Sequence, residues 1–558
     1  MGKNVSDVII EKLIDLGVGR IYGIPGDSIN SLIDSIRTHK ETIGFILVRH
    51  EETAALAAAS EAKLTGKLAV CVGTSGPGAI HLTNGLYEAK MEHVPVLAIT
   101  GQMESDLVGT DYFQEVNLVS LFQDVALYNQ VMMSPEHAGI LVSRAIRTSL
   151  SEKGVSHLNL PQDVARQEVS ERFLDTPIHY SEAVGVPPEG DLDAAAKILN
   201  EGKKTVILIG KGSARAGDAI AELAQKLSAP IVKTLHAKDV LPDEHPLCIG
   251  GLGLLGTRPA QDAMDEADTL LMIGTSYPYV WFLPKNAKTI QIDNRVTHLG
   301  KRYAVDLALI GDSHLTAEAV TMRVKQHDDG SFLKKYSGAM ASWWRKQEEA
   351  ENSESVPIRP QRLAREIERS VSDDAVISVD VGNVTVWMAR NFRIKKGQRM
   401  IFSGWLGTMG VGLPGAIAAK FVYPERQVLA AVGDGGFGMT MTDFITAVRY
   451  KLPMVVVVFN NGKLGMIKFE QEVQGHPEYC TDLVNADYAA FARACGGVGF
   501  RVEKPSEIQP ALQQALAAGK PALLDVMVSP DERPMPPKIT VRQATGYVTS
   551  LFKEKFDL

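Results

Sequence analysis

Short apolar runs recur along the whole chain, and each ends in Gly, Asn or Asp before a segment with helical spacing of its apolar residues. Continuous Val, Ile and Leu runs are typical of parallel strands that are buried on both faces, and the helical segments between them are typical of βα units. The clearest runs are IYGIPG, FILVRHE, LAVCVGTSGPG, VPVLAITGQ, TVILIGKGS, PIVKT, TLLMIGTSY, TIQIDN, AVISVDVGN, RMIFSG, QVLAAVGDGG, PMVVVVFNN and ALLDVMVS. The pattern predicts an α/β protein of doubly wound parallel sheets.

Two segments interrupt this pattern and predict domain boundaries. Residues 176–191 are rich in Pro and Gly, and the chain from about residue 325 to 357 is polar. They divide the sequence into three doubly wound parallel-sheet domains. We expect these domains at residues 1–178, 190–325 and 355–535, followed by a C-terminal tail at residues 536–558.

Composition and charge narrow the range of partners. The 558 residues include 58 Lys and Arg against 66 Asp and Glu, which gives a net charge of −8, and 45% are hydrophobic. Because there is no long basic run, we expect no binding to nucleic acid and no general binding to anionic membranes. The four dispersed cysteines form no CxxC pair, and the first residues have helical spacing rather than the apolar core of a signal peptide. A cytoplasmic protein with small-molecule partners is therefore expected.

Two GxGxxG patterns lack the surroundings of a dinucleotide site. The pattern at residues 251–256 follows a segment that is a poor strand, and the pattern at residues 410–415 contains Pro414. The turn at Gly210 and Gly212 is a better candidate, because it joins an apolar strand to a helix. Such a turn can bring backbone amides to a pyrophosphate, although an ordinary βα turn explains it nearly as well.

One segment places polar residues at the ends of two consecutive strands. Asp434 ends the first strand and Asn461 ends the next, 461 − 434 = 27 residues later, with a helix between them. A right-handed crossover brings both side chains to the carboxyl edge of adjacent parallel strands. Gly433, Gly435 and Gly436 allow the backbone to approach a phosphate, and the oxygen ligands suit Mg²⁺. The segment predicts a magnesium–diphosphate site; a capped turn and a strand ending in Asn would explain either half alone.

These motifs resemble those of thiamin diphosphate-dependent enzymes. GDGG at residues 433–436 with NN at residues 460–461 is similar to the diphosphate motif, and VRHEE at residues 48–52 is similar to the motif of the pyrimidine-binding domain. SGPG, TNGLYEA, HVPVLAITG, YFQE and TMGVGLPGAIAA follow in family order, so the resemblance extends over nearly the whole chain. IYGIPGDSINSL, YFQE, LGMIKFEQE and PERQV resemble the pyruvate oxidases most. The acetohydroxyacid synthases are the nearest cousins.

The resemblance implies thiamin diphosphate and Mg²⁺ as cofactors and assigns the residues around them. Glu51 would hydrogen-bond N1′ of the pyrimidine ring, and Gln114 and Glu470 would act beside it as catalytic residues. The residues expected to contact thiamin diphosphate are Asn84, Gly382, Asn383, Met409, Gly433, Gly435 and Gly436. The expected metal ligands are Asp434, Asn461 and the main-chain carbonyl of Lys463. From position alone, Glu51 is equally well a helix-start residue with a solvated face, and Met409 is a core residue.

The resemblance also implies a substrate pocket and a second cofactor, FAD. Phe113 and Ile467 would line the pocket for a small 2-oxo acid, pyruvate; as bare residues they are more often core. The middle domain would be of the FAD type, and the residues expected to contact FAD are Gly210, Gly212, Thr275, Asp293 and Asp312. Taken singly, each of these is a common residue at the end of a strand.

The implied activity is the oxidative decarboxylation of pyruvate to CO₂ and acetyl phosphate or acetate. One alternative is an acetolactate synthase-type carboligase that joins two 2-oxo acids and holds FAD as a structural group. In the synthases a Trp stands just after the stretch that corresponds to LGMIKFEQE. No Trp follows LGMIKFEQE here, which favours oxidation over carboligation. A second alternative is a non-catalytic adenine-nucleotide-binding subunit, but Glu51 and both metal side chains are present. The resemblance further implies a homodimer or homotetramer, in which Glu51 of one subunit faces the diphosphate site of another.

The last residues bear on membrane binding. PPKITVRQATGY resembles the start of the C-terminal extension that becomes a membrane anchor in quinone-reducing relatives. Residues 547–558 contain few large apolar side chains, and their two lysines stand beside Glu554 and Asp557. Stable interfacial binding needs a larger apolar area and a basic polar face. We therefore expect a tail packed on its own subunit, no stable membrane anchor, and a soluble enzyme that passes electrons to a diffusible acceptor.

Overall fold

Three six-stranded sheets form the framework of the protein. The computed structural model describes residues 2–170, 184–538 and 541–556. Every pairing between strands within the three sheets is parallel. The prediction of an α/β chain with three doubly wound parallel-sheet domains is therefore confirmed.

The first sheet has the strand order β2-β1-β3-β4-β6-β5. Its strands are β1 (Arg20–Gly23), β2 (Gly44–Leu47), β3 (Ala69–Gly73), β4 (Val96–Gln102), β5 (Ala126–Val131) and β6 (Val155–Pro161). Its helices are α1 (Val5–Asp15), α2 (Asn30–Thr38), α3 (Glu51–Thr65), α4 (Pro77–His81), α5 (Thr83–Met91), α6 (Leu118–Leu121), α7 (Ala138–Glu152) and α8 (Gln162–Ala165). Every residue of β3 and β4 is buried, which explains why their sequences are largely continuous apolar runs rather than alternating ones. β6 is equally buried, although it carries the polar residues Ser156, His157 and Asn159.

The second sheet has the order β9-β8-β7-β10-β11-β12, which is the strand order of classical dinucleotide-binding folds. Its strands are β7 (Thr205–Ile209), β8 (Ile231–Lys233), β9 (Cys248–Gly251), β10 (Thr269–Ile273), β11 (Lys288–Asp293) and β12 (Leu307–Ile310). The helices around it are α9 (Glu189–Glu201), α10 (Gly217–Lys226), α11 (Arg258–Glu266), α12 (Ser313–Arg323) and α13 (Ser331–Glu351). The order reverses between β7 and β10, so a crevice opens at the carboxyl ends of these two strands.

The third sheet has the order β14-β13-β15-β16-β18-β17, the same pattern as the first. Its strands are β13 (Val376–Val379), β14 (Arg399–Ile401), β15 (Val428–Gly433), β16 (Val455–Asn460), β17 (Val498–Val502) and β18 (Ala522–Met527). Its helices are α14 (Pro360–Ser370), α15 (Asn383–Asn391), α16 (Gly412–Val422), α17 (Asp434–Thr440), α18 (Phe444–Arg449), α19 (Gly465–Gln474), α20 (Tyr488–Ala494), α21 (Pro505–Ala517) and α22 (Val541–Phe556). Here the order reverses between β13 and β15.

The expectation of a poor strand before the first GxGxxG pattern is wrong. Residues Cys248–Gly251 form β9, which pairs with β8 at the edge of the second sheet. β9 is short and carries two glycines, so its apolar run is too brief to stand out in the sequence. β9 is an edge strand, two strands away from the crevice between β7 and β10, so the pattern does not lie at the turn after the first strand where a dinucleotide fingerprint stands.

The polar segment after the second domain contains a long helix. Residues Ser331–Glu351 form α13, and Phe332, Tyr336 and Met340 are buried against the middle domain. Their spacing of four residues is the helical period, but it is diluted by charged residues on the other face. The first half of the other expected linker, residues 176–183 of 176–191, lies outside the described residues.

The C-terminal helix α22 packs against α19 of the third domain. Ser550 is fully buried and donates to the carbonyl of His476 at 2.8 Å, and Lys553 Nζ donates to the carbonyl of Gly475 at 3.0 Å. Gly546 allows the close approach, because a methyl group added there would lie 2.1 Å from the carbonyl oxygen of Val473. None of the helices in the described part of the chain is both long enough and apolar enough to cross a membrane.

We predict opposite effects for alanine at two helical glycines. Gly546→Ala should destabilise the packing of α22 by about 1–3 kcal/mol, because the added methyl group collides with backbone. Gly338→Ala is the matched control: Gly338 lies within α13 with open space around it, so alanine there should be neutral or stabilise by up to ~1 kcal/mol. Amide hydrogen exchange of α22 measures the difference. Equal exchange rates of α22 in the two variants would contradict the proposed contact.

Candidate active site

The carboxyl ends of β15 and β16 carry the predicted metal ligands. The two strands are parallel neighbours, and Gly433 is paired with Phe459, so the strands end at the same level. Asp434 is the first residue after β15, and its Oδ2 accepts hydrogen bonds from the amide of Gly462 at 2.8 Å and from Asn485 Nδ2 at 2.7 Å. The crossover inferred from the sequence is therefore present. Asn485 was missed, because it stands in no motif.

The electrostatics of this edge suit a cation. Asp434 is buried, and burial raises the pKa of its carboxyl group. A bound divalent ion would offset the cost of keeping this carboxylate charged. The ammonium group of Lys463 is held by Glu478 at 2.6 Å and by Asp482 at 2.5 Å, so the lysine side chain is engaged by acids. The oxygen donors at this edge fit Mg²⁺.

The end of β13 provides room for a phosphate group. Gly382 precedes α15 with a φ of 121°, a conformation that favours glycine, and a methyl group added at Gly382 or at Gly433 would meet nothing within 4 Å. Oδ1 of Asn383 is buried and accepts no hydrogen bond from the described residues. A buried polar atom without a partner usually indicates a missing ligand or water. The glycines and the unpaired amide oxygen fit a diphosphate.

Asp380 holds the turn that contains Met409. Its fully buried carboxylate accepts from the amide of Gly410 at 2.9 Å and from the amide of Val381 at 2.7 Å, and burial raises its pKa to about 6. Met409 Cε lies 3.1 Å from the position that a methyl group on Gly435 would take. Met409 is partly exposed and lies beside Gly435 rather than in the core. The sequence analysis did not identify Asp380.

Glu51 is the first residue of α3 and is buried in the first domain. Its Oε2 lies 3.0 Å from Nδ1 of His81, and the ring of His81 stacks on that of His50 with centroids 4.3 Å apart. Burial excludes the solvated-face alternative for Glu51. The two histidines were missed, because neither belongs to a spaced pattern of polar residues.

Asn84 connects the first domain to the Met409 turn of the third. Its Nδ2 donates to Glu52 Oε1 at 2.6 Å and to Thr408 Oγ1 at 2.9 Å. Asn84 therefore contacts the residue that directly precedes Met409 in the chain.

The expected substrate-pocket residues lie on two exposed surfaces. Phe113 is 72% exposed and Ile467 is 46% exposed, so neither is a core residue in this chain. Gln114 has a φ of 60°, and its carbonyl oxygen lies 2.9 Å from the position that a methyl group on Gly76 would take. Glu470 lies one turn after Ile467 on α19 and is also exposed. Apolar side chains exposed on both surfaces are suited to being covered by another chain.

A cavity of about 610 Å³ opens at the switch point of the middle domain. Gly212, Thr275 and Asp293, three of the five residues predicted to contact FAD, line it. Two expected contacts have other roles in the structure. Gly210 packs against Gly274, where a methyl group would lie 2.3 Å from a carbonyl oxygen, and Asp312 caps α12 by accepting from the amide of His314 at 2.9 Å. Neither of these two residues lines the cavity.

The cavity combines positive charge with apolar and aromatic surface. Its basic residues are Lys90, Lys153, Lys211, Arg295, Lys301 and Arg302, and its acidic residues are Glu92 and Asp293. Burial, together with the neighbouring Arg295 and His298, lowers the pKa of His93 at its rim to about 4. Excess positive charge attracts a pyrophosphate, and Trp405 and Tyr279 offer aromatic faces to flat rings. The size, charge and position of the cavity fit a flavin dinucleotide.

Comparison with known proteins identifies the family of the chain. Three family models match the chain: the N-terminal TPP binding domain of thiamine pyrophosphate enzymes at residues 3–121, their central domain at residues 192–320, and their C-terminal TPP binding domain at residues 380–526. Together the three models cover more than half of the chain.

Several relatives match almost over their full length. The thiamine pyrophosphate-containing protein YdaP of Bacillus subtilis is 46% identical over 555 residues, which cover 100% of this chain and 96% of that protein. The pyruvate oxidase of Lactiplantibacillus plantarum is 34% identical, over 98% of this chain and 93% of the oxidase. The acetolactate synthase of Mycobacterium bovis is 30% identical, over 95% of this chain and 89% of the synthase. The chain belongs to the thiamin diphosphate (thiamine pyrophosphate)-dependent enzymes and has their three-domain architecture.

Proposed function

We propose that this enzyme is a pyruvate oxidase that uses thiamin diphosphate, Mg²⁺ and FAD. It decarboxylates pyruvate, passes the two electrons of the remaining two-carbon unit to FAD, and releases that unit as acetyl phosphate or acetate. The observation that carries the proposal is α19, whose exposed face presents Ile467 and Glu470 within LGMIKFEQE, the segment that resembles pyruvate oxidases and lacks the Trp of the synthases.

Two further observations support the proposal. The second sheet has the strand order of dinucleotide-binding folds. The cavity at its switch point has a volume and a positive charge that suit a flavin dinucleotide. A relative that is 34% identical over 98% of this chain is a pyruvate oxidase. Because an acetolactate synthase is also among the relatives, carboligation of two 2-oxo acids is the second candidate function.

Four residues would hold the metal ion and the pyrimidine ring in this function. When bound, thiamin diphosphate supplies an electron sink for decarboxylation and FAD takes up the electron pair. Asp434, Asn461 and the carbonyl of Lys463 hold Mg²⁺, which neutralises the diphosphate. Glu51 holds a proton at N1′ of the pyrimidine ring, where the low exposure of its carboxylate strengthens the hydrogen bond.

The substrate is bound by residues near the exposed edge of the site. Gln114 offers an amide and Glu470 a carboxylate to the 2-oxo acid, and Phe113 and Ile467 exclude water from it. Because these two apolar side chains are exposed in one chain, we propose that the active unit is at least a homodimer, in which one subunit covers the site of the other.

The central test is an assay of the purified protein with pyruvate, thiamin diphosphate, Mg²⁺, FAD and an artificial electron acceptor. An oxidase reduces the acceptor in proportion to the CO₂ released and forms no acetolactate. Acetolactate formation without reduction of the acceptor would contradict the proposal and establish the synthase alternative.

Glu51→Gln should lower turnover by about 100-fold or more, because an amide cannot share a proton with N1′ as a carboxylate does. The affinity for thiamin diphosphate should stay within about threefold of the wild type, since the amide has nearly the same shape. Glu52→Gln is the control on the same helix and should keep most of the activity. Steady-state kinetics and calorimetric titration of the cofactor measure both effects; near-normal turnover of Glu51→Gln would remove Glu51 from the mechanism.

Asp434→Ala should weaken Mg²⁺-dependent binding of thiamin diphosphate by at least about tenfold, because the site loses its only anionic side-chain ligand. Binding of FAD should be unchanged, since Asp434 does not line the cavity proposed for FAD. Asp482→Ala is the control, because Asp482 is paired with Lys463 rather than placed at the metal. Loss of both cofactors from a folded Asp434→Ala protein would argue against separate sites.

A further inference from the structure

The loop that contains the first GxGxxG pattern forms one wall of the middle-domain cavity. Leu252, Leu254 and Leu255 line the cavity, and the loop follows the edge strand β9. Its glycines are required by the shape of the loop rather than by a phosphate. Gly253 has a φ of 95°, and a methyl group at Gly256 would lie 2.3 Å from the carbonyl oxygen of Gly251.

Three consecutive carbonyl groups of this loop converge on one side chain from another domain. Arg390 donates from Nη2 to the carbonyl of Leu254 at 2.8 Å, and from Nε to those of Gly256 at 3.1 Å and Leu255 at 3.3 Å. Arg390 is 9% exposed, and within the described ranges no carboxylate lies at ion-pair distance from it. The guanidinium group therefore donates its hydrogen bonds to the backbone carbonyls of residues 254–256.

The helix that carries Arg390 begins at the diphosphate site. α15 starts at Asn383, directly after Gly382, and Arg390 lies in its last turn. The same end of α15 is tied to the middle domain a second time, because Lys238 Nζ donates to the carbonyl of Ala389 at 2.7 Å. One rigid helix thus spans from the diphosphate site to the wall of the cavity.

We propose that Arg390 is a positioning residue that fixes the loop at residues 252–256 and thereby shapes the apolar wall against which FAD binds. This inference rests on the proposed function, which places FAD in the cavity. Without the guanidinium group, three carbonyl groups lose a shared charged donor, and the loop must rearrange to reach water or other donors. The wall formed by its leucines then moves relative to the rest of the cavity.

The test compares Arg390→Met and Arg390→Lys with a matched control, Arg393→Met. Arg393 lies just beyond α15, where it stacks on Trp344 and pairs with Glu351, and no hydrogen bond joins it to the loop in the described part of the chain. Three quantities are measured: the Kd of FAD for the FAD-free protein, the visible circular dichroism of the bound flavin, and amide hydrogen exchange over residues 250–257. The Kd of thiamin diphosphate reports separately on the diphosphate site.

Arg390→Met should weaken FAD binding by about tenfold or more, change the visible circular dichroism of the flavin and accelerate exchange in the loop. Arg390→Lys should show a smaller change in the same direction, because an ammonium group lacks the planar fork that reaches three carbonyls. Arg393→Met should keep the FAD affinity and the flavin spectrum of the wild type even where it lowers the Tm.

Two results would overturn the inference, and they are distinguishable. If the wild type binds FAD and the folded Arg390 variants bind it with the same affinity and the same flavin spectrum, Arg390 does not position the wall. Should Arg390→Met fail to fold, Arg390→Lys decides by the same criteria. If the wild type itself takes up no FAD, the proposed function is wrong and the inference falls with it.

Discussion

The parallel pairing of β15 with β16 is the constraint on which the active site depends. Because Gly433 is paired with Phe459, the two strands end together and deliver Asp434 and Asn461 to one point of the sheet edge. The amide of Gly462, just after β16, donates a hydrogen bond to Oδ2 of Asp434, just after β15, and so links the two strand ends. A buried carboxylate with a raised pKa is costly to keep charged, so a cation bound at this edge would stabilise it.

The same geometric rule positions the other sites. The strand order reverses between β1 and β3, between β7 and β10 and between β13 and β15, and the loops on either side of each of these points diverge to leave a crevice. In the third domain, the crevice lies between Gly382 and Asp434; in the middle domain, it lies between Gly212 and Thr275 and opens into the cavity. Helix α15 extends between these two crevices. It begins at the crevice of the third domain, and its Arg390 donates hydrogen bonds to the loop that lines the cavity of the middle domain.

The sequence predicted those parts of the structure that are determined by a short stretch of consecutive residues. Strands buried on both faces, such as β4 and β16, are continuous apolar runs, and GDGG placed Asp434 correctly at the end of β15. Edge strands were harder, because β5 and β17 are only half-buried and lack such runs. Contacts between distant segments were not predictable at all: nothing near His81 in sequence indicates its contact with Glu51, and nothing near Arg390 indicates the carbonyls of residues 254–256.

We propose that a complete site requires two chains, because Phe113 and Ile467, which would line the substrate pocket, are exposed in one chain. The most direct measurement mixes Glu51→Gln and Asp434→Ala proteins under conditions that let subunits exchange, with the mixed dimers verified by native mass spectrometry. Each variant alone should be nearly inactive. If sites are shared between subunits, random exchange of equal amounts should restore roughly one quarter of the wild-type activity, because half of the dimers are mixed and each holds one intact site. No recovery despite verified mixed dimers, or full activity in a monomer, would contradict the account.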